Sequence, residues 1–453
     1  MKYDLVIRGT YVSNGLQQGD IGVQEGKIVE LSDYGTLDGQ QIIEYKDEIV
    51  FPGFIDSHVH CYSNPDEGMN RATRAAAQGG ITTIIDMPYD RPEPIDNLEK
   101  FKNKIEDINQ NAVVDVALWA TVAKDKGVDH VQEMIDAGAV AFKLSTFETD
   151  PKRFPRIPDY QILDIMRLTA DNDILVGFHA ENETIINHLV EQFKDEGKTE
   201  AIYHHLSRPP ESETSAVANL LELAYWSQAK LHLVHISHPH TVDMIEKMKA
   251  AYNINVTYET CYQYLTLDTN TLEEKGVIAK CNPALRQPSE VKALNEQLKE
   301  GKIDFITSDH APWVKDKEET NIFNAPSGLT GLDIMMPIMF EHLVLKNDVS
   351  EQKFSELFST NIAKRYKLAE KGEIREGFDA DFTVIHPNKP WELDESYYQS
   401  ISNQSAFNGQ SFNAQIVGTI VRGHSVYHDN EVSDNTLGQF VPGFKGVEQV
   451  EHK

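Results

Sequence analysis

Apolar positions along this chain change rhythm twice. Residues 1–50 hold short runs of strand character: Tyr3-Asp-Leu-Val-Ile-Arg, Gly19-Asp-Ile-Gly-Val, Gly26-Lys-Ile-Val-Glu-Leu and Gln41-Ile-Ile-Glu-Tyr. Turn residues separate them, which predicts a small β unit. From residue 54 apolar strands alternate with helical stretches. Eight candidate strands are read there: Phe54–Ser57, Ile81–Asp86, Val113–Ala120, Ala139–Leu144, Ile174–Phe178, Leu231–Ile236, Ile254–Tyr258 and Ile303–Thr307. Helical patterns fill the gaps, for example Met69–Gln78 and Ser212–Ala229. This alternation predicts a parallel sheet with crossover helices, and the count matches a (β/α)8 barrel. An open doubly wound sheet is the alternative, and the lack of a Gly-x-Gly-x-x-Gly after any strand counts against it. After residue 370 β character returns, in Gly372-Glu-Ile-Arg, Ala380-Asp-Phe-Thr-Val-Ile, Ala414-Gln-Ile-Val-Gly-Thr-Ile-Val-Arg-Gly and Ser425-Val-Tyr. The predicted class is α/β: a TIM-like (β/α)8 barrel over residues 51–370, with a small β-sandwich domain built from residues 1–50 plus 371–453.

The residues at the strand ends are not a random draw. In Phe51-Pro-Gly-Phe-Ile-Asp-Ser-His58-Val-His60 the two histidines stand two apart, so on a strand they point the same way. Strand four carries Lys143 in an otherwise apolar run, strand five ends in His179, strand six in His235 and strand eight in Asp309. Each has an ordinary explanation alone. His235 reads as a hydrogen-bonded core histidine, Asp309 as a helix N-cap and Lys143 as a snorkelling lysine. Their joint occurrence at one end of one barrel, where that fold keeps its chemistry, points to metal. The set is too long for one closed site and suits two divalent ions with open positions. An ammonium cannot ligate a cation, but an amine carboxylated by CO2 can, as a carbamate bridging ions about 3.5–4 Å apart. A bridging hydroxide would then attack, and Asp309 would take its proton and pass it to a leaving nitrogen.

Composition narrows the partners. With 42 basic against 71 acidic residues the formal net charge is −29, which argues against nucleic acid and anionic membranes. The N-terminal Met1-Lys-Tyr-Asp-Leu-Val-Ile lacks the apolar core of a signal peptide, and no run of about 18 apolar residues exists. Three scattered cysteines, Cys61, Cys261 and Cys281, form no disulfide framework, so a cytoplasmic location is expected.

At these residues the chain resembles the amidohydrolase superfamily in its cyclic amidohydrolase branch of allantoinases, dihydroorotases, hydantoinases and dihydropyrimidinases. The shared motifs run from Pro52-Gly-Phe-Ile-Asp-x-His-x-His60 through Gly79-Gly-Ile-Thr-Thr, Phe142-Lys143, His179-Ala-Glu-Asn and His235-Ile-Ser. They continue in Glu259-Thr-Cys, Ser308-Asp-His-Ala-Pro312 and Gly372-Glu-Ile-Arg-Glu-Gly-Phe-Asp-Ala-Asp381. The resemblance implies that His58, His60 and Asp309 hold one metal and His179 and His235 the other, with carboxylated Lys143 between them. It implies zinc as the usual ion, a cyclic amide as substrate, and a homo-oligomer, dimer or tetramer.

The ring is read from departures. Dihydroorotases place an arginine two residues after the second histidine, where this chain has Tyr62; hydantoinases and dihydropyrimidinases place a tyrosine five after the lysine, where it has Glu148. The remaining pattern, with Ser207-Arg-Pro and Ser327-Gly-Leu-Thr-Gly-Leu332, resembles allantoinase most. Cys261-Tyr-Gln-Tyr264, Asn282-Pro-Ala-Leu-Arg286 and Asn64-Pro-Asp-Glu-Gly depart from the family pattern, so another cyclic ureide or imide stays open. Tyr62, Asn282, Ser327 and Gly328 are the expected substrate contacts. Asn282 reads equally as a turn residue before Pro283. The acidic surface gives no long-range attraction to anions, which favours a small neutral ring. A non-catalytic scaffold of the same fold is the alternative class, and the six metal-site positions argue against it.

Overall fold

In the computed structural model, which describes residues 2–443, the eight barrel strands are Phe54–Val59, Ile81–Asp86, Asp115–Ala120, Ala141–Ser145, Leu175–His179, Lys230–Leu233, Val256–Cys261 and Phe305–Thr307. They pair in parallel, each with its neighbour in sequence. Nearly every residue in them is buried, because crossover helices cover one face and the barrel interior fills the other. Strands one and eight meet just beyond their ends, where Val59 and His310 form a parallel bridge and the His60 N–H donates to the His310 carbonyl at 2.9 Å. This closes the barrel at its C-terminal end.

The crossover helices begin where side chains can cap them. Asn97 accepts from the Lys100 N–H at 3.1 Å and starts Leu98–Asn111; Asn182 accepts from the Thr184 N–H at 3.2 Å and starts Glu183–Asp195. Three helices, not one, separate strands five and six: Glu183–Asp195, Ile202–Ser207 and Pro210–Ser227.

Both ends of the chain build one β-rich unit, hydrogen-bonded as a mixed sheet of eight strands. Its halves join where Gly39–Pro52 pairs antiparallel with Phe382–His386, with Ile385 opposite Ile49. Leu5, Ile7, Ile21 and Val23 pack there with Phe382 and Val384. A buried charge knot ties this unit to the start of strand three: the Lys371 ammonium lies 2.6 Å from Asp115, 2.8 Å from Asp379 and 2.7 Å from Asp381. With Arg422 also on Asp115 and Lys27 also on Asp379, three cations balance these three carboxylates, so the knot is structural.

Two stretches within residues 371–443 leave that sheet and pack on the barrel. Ser400 Oγ and the Gln399 N–H donate to Asp333, and Gln404 Nε2 donates to the Lys315 carbonyl at 2.8 Å. Nearer the C-terminus, Phe440 bridges to Val116 and the Gly443 N–H donates to the Gly138 carbonyl at 2.8 Å. The expected domain end at residue 453 lies outside the described residues. Among the described residues no helix is long and apolar enough to cross a membrane.

Candidate active site

All six residues singled out at the strand ends line one cavity of about 240 Å³ at the C-terminal mouth of the barrel. On one side stand His58, His60 and Asp309, with potential ligand atoms all within 4.8 Å of one another. Asp309 Oδ1 lies 3.1 Å from His58 Nε2 and 3.5 Å from His60 Nε2. On the other side His179 Nδ1 faces His235 Nε2 at 2.9 Å. The His58 and His235 rings stack across the gap at 5.4 Å. Lys143 projects into the same cavity from strand four, its backbone carbonyl held by Thr121 Oγ1 at 2.7 Å and the Tyr89 hydroxyl at 3.1 Å.

A layer of carboxylates behind the imidazoles sets their tautomers. Glu259 Oε1 takes His58 Nδ1 at 2.5 Å, and Glu259 Oε2 takes His232 Nε2 at 3.1 Å. With Nδ1 so held, His58 turns Nε2 to the cluster: as a lone pair when the ring is neutral, and as an N–H toward Asp309 without a cation, where burial opposes the charged ring but Asp309 outweighs it and raises His58. Glu181 Oε2 takes His179 Nε2 at 2.8 Å and is paired to the buried Arg208, which leaves His179 Nδ1 facing inward. Asp56 Oδ1 accepts the backbone N–H groups of His58 at 3.1 Å and Ser308 at 3.3 Å, tying strand one to the end of strand eight.

Burial and charge decide the protonation states. Burial pushes His60 down to about 4 and His235 well below its ordinary value, so both are neutral donors of lone pairs. Burial alone would raise Asp309, but His58 and His60 outweigh it and hold the carboxyl well below the usual range. Burial likewise lowers Lys143 to about 8, partly offset by Glu259 and Asp309. Its neutral amine, the form that reacts with CO2, is thus accessible near neutral pH. Imidazole nitrogens, a carboxylate oxygen and an amine open to carboxylation are the donors that borderline divalent cations prefer. His60 Nδ1 is buried with no hydrogen-bond partner, which leaves no anchoring acceptor behind this ring. The donor set fits divalent metal.

The four expected substrate contacts divide. Asn282, Ser327 and Gly328 line the cavity, and Asn282 Oδ1 is a buried acceptor without a partner. The Gly328 N–H is already committed to the Lys280 carbonyl at 3.1 Å, so this residue meets a ligand by its bare Cα or its carbonyl. Its φ of +140° and the 2.7 Å approach a Cβ would make to the Ala311 Cβ require glycine. Tyr62 is a correction. It does not line the cavity: its hydroxyl donates to Asp107 at 2.6 Å and the Lys104 ammonium lies 4.0 Å over its ring. The chain turns after Cys61, and the phenol packs outward against the helix Leu98–Asn111. Glu148 also turns away, to an ion pair with Lys124 at 2.8 Å.

The structure adds groups that the strand-end pattern did not single out. Glu181 and Glu259 stand in the motifs already quoted; the signal was, for Glu181, a carboxylate two residues after His179 at a strand end and, for Glu259, a carboxylate within an otherwise uncharged strand. Arg91, Arg153, Phe154 and Trp313 line the cavity from loops, where no periodicity announces a direction.

Comparison with known proteins agrees with this geometry. The model of the amidohydrolase family matches residues 49–426. The allantoinase of Bacillus licheniformis is 34% identical, over 98% of this chain and 100% of its own. The allantoinase of Enterococcus faecalis is 31% identical, over 97% and 100%. Among solved structures, the L-hydantoinase (dihydropyrimidinase) from Arthrobacter aurescens superposes with a TM-score of 0.92 at 29% identity, over 97% of this chain and 100% of that one. By matched length, fold and the residues gathered at the barrel mouth, the chain belongs to the amidohydrolase family and is a hydrolase of cyclic amide bonds.

Proposed function

We propose that the chain opens the ring of allantoin, a small neutral cyclic ureide, to allantoate. The observation that carries this reading is full-length likeness at 31–34% to relatives named allantoinase. We assign one divalent cation to His58, His60 and Asp309 and a second to His179 and His235. Zinc is the expected ion, and a carbamate on Lys143 completes both sets. When bound, the cations supply Lewis acidity for the ring carbonyl and acidify the attacking water.

The chain's own groups do the rest. Asp309 is anionic and sits between His58 and His60, where it takes a proton from the attacking water. A C–O bond forms as the ring C–N bond breaks, and Asp309 returns the proton to the leaving nitrogen. Asn282 Oδ1 accepts a ring N–H, and the bare backbone at Gly328 lets the ring approach closely. We place the enzyme in the cytoplasm as a homo-oligomer, dimer or tetramer, acting on neither nucleic acid nor membrane.

The test is ring opening by protein loaded with divalent metal, with hydantoin, dihydrouracil and dihydroorotate beside allantoin. Turnover of allantoin far above the others is expected. Preferred turnover of hydantoin or dihydrouracil would overturn the allantoin reading in favour of a hydantoinase, the class of the superposed Arthrobacter structure.

A further inference from the structure

Two guanidinium groups, those of Arg153 and Arg91, line the mouth of the cavity beside a single acid, Asp150. Arg153, from the loop after strand four, is only 7% exposed. Its Nη1 donates to the Tyr89 carbonyl at 2.6 Å, while its Nε is buried without a partner. Arg91, from the loop after strand two, lies 4.6 Å over the Trp313 ring. Among the described residues neither arginine forms an ion pair. The nearby acids Asp150 and Asp90 act on Arg153 only beyond ion-pair distance, their own bonds being made elsewhere. Asp150 Oδ1 accepts the backbone N–H groups of Lys152 and Arg153 at 2.9 Å each, and Asp90 takes the Lys104 ammonium at 2.6 Å. A guanidinium offers five donors in a planar fork. A desolvated one beside another of the same sign is costly unless an oxygen acceptor completes it.

Direction matters as much as charge. Phe154, the next residue, stacks on Tyr89 and meets the His179 ring edge-on at 5.9 Å. The arginines thus face the same cavity as the reacting end, from a different wall. An amide carbonyl held at the histidine cluster would leave a substituent on the ring pointing toward that wall.

We propose that Arg153, assisted by Arg91, is the specificity-determining element for the ring substituent, and that it selects rings whose side chain ends in an oxygen acceptor. The acceptor is the ureido carbonyl of an allantoin-like ring or a carboxylate in its place. This rests on the cyclic-amide reading of the site and deepens it, since the bare ring would leave the fork unmet.

The test uses metal-loaded wild type, Arg153→Gln, Arg153→Lys and Arg91→Gln. Affinity is measured by calorimetry for allantoin, 5-carboxymethylhydantoin and unsubstituted hydantoin, with ring opening followed alongside. Arg153→Gln should lose about 10- to 100-fold in affinity for one or both substituted rings and under threefold for hydantoin. Arg153→Lys should recover part of the loss for the carboxylate ring and less for the ureido ring, because an ammonium lacks the fork. Which substituted ring suffers more separates the ureido source from the carboxylate one. Equal losses on all three rings would mean that Arg153 only props the Tyr89 loop, and would overturn the inference. So would unchanged affinities, or wild type binding none of the substituted rings. Wild type that binds allantoin but does not open it would refute the allantoinase reading and leave the arginine assignment standing. Arg91 is exposed, so Arg91→Gln is expected to fold as wild type and to show the same substituent-selective loss, smaller in size.

Discussion

Glu259 connects the candidate metal cluster to the barrel wall, and its amide variant makes a sharp test. The carboxylate accepts from His58 Nδ1 at 2.5 Å on one oxygen and from His232 Nε2 at 3.1 Å on the other. Glu259→Gln keeps the shape but replaces one acceptor with an NH2 group, which cannot take an imidazole N–H. One histidine must then change tautomer. If His58 changes, its proton moves to Nε2, the nitrogen 3.1 Å from Asp309, and it ceases to be a ligand. His232 has an escape, because its Nδ1 lies 3.0 Å from the Thr257 hydroxyl, which can accept as well as donate. The single variant should therefore lose about tenfold in metal affinity, the low end for a residue behind a ligand. Thr257→Val closes the escape and by itself should cost little metal affinity. The double variant should lose about 100-fold, more than the two singles combined, a coupling of about 1.4 kcal/mol. Competition with a chromophoric chelator measures all four proteins. Additive effects, or wild-type affinity in the double variant, would refute the tautomer argument. The same carboxylate has an acid signature. Burial would raise Glu259, but His58 and His232 outweigh it and hold it at about 2. A folded-state value below the unfolded one stabilises fully above about 4.5 and is lost as pH falls toward 2. The stability gap between wild type and Glu259→Gln, on the order of 3 kcal/mol at neutral pH, should close over that window.

Three further outcomes follow from the same geometry. Because Lys143 titrates near 8 in the metal-free protein, its neutral fraction rises about tenfold from pH 7 to pH 9. Recovery of activity on adding zinc at fixed dissolved CO2 should speed up accordingly, and a rate independent of pH would exclude carboxylation as the slow step. Gly328→Ala forces a Cβ to 2.7 Å from the Ala311 Cβ at a φ of +140°, so thermal unfolding should report a loss of about 1–3 kcal/mol. Ring opening should fall with it, since the residue lines the cavity. Tyr62→Phe removes the hydrogen bonds of the hydroxyl to Asp107 and from the Met69 backbone, both outside the cavity, so stability should drop by about 1–2 kcal/mol while kcat/KM stays within about twofold.

What was legible in the sequence and what was not follows from the period of the backbone. On a buried parallel strand every residue is constrained, so a polar residue at its end stands out against the apolar run. His179 after Leu-Val-Gly-Phe and Asp309 after Phe-Ile-Thr-Ser are examples. That made the barrel and six strand-end residues readable. Loops carry no such period. Tyr62 is two residues beyond His60, yet the turn between them sends its phenol to Asp107, while Arg153, far away in sequence, reaches the cavity. Glu181 and Glu259 were visible as motif letters, but their function is to hold another side chain's proton, and only coordinates show which one.

His235 and Asp309 share a feature that explains how the site holds its shape. Both lie in left-handed backbone, at φ of +42° and +48°, where strands six and eight have ended. That conformation turns the chain and breaks the alternation of an extended strand. It is uncommon outside glycine, though Asp and His tolerate it better than branched residues. Such strain persists only where neighbours over-determine it. Around Asp309 the Ser308 N–H donates to Asp56 at 3.3 Å and the His310 N–H to the His58 carbonyl at 3.3 Å. Around His235 the Val234 N–H donates to the Phe178 carbonyl at 3.3 Å and the Ile236 N–H to the Glu259 carbonyl at 2.8 Å. The clamps on each residue come from different strands: one for Asp309, five and seven for His235. Barrel closure thus places a candidate ligand from each side of the cavity, and Glu259 serves both sides, through its side chain to His58 and its backbone to Ile236. A change that loosens strand seven should therefore disturb both halves of the site together, whereas one that loosens the loop holding Arg153 should disturb substituent recognition alone.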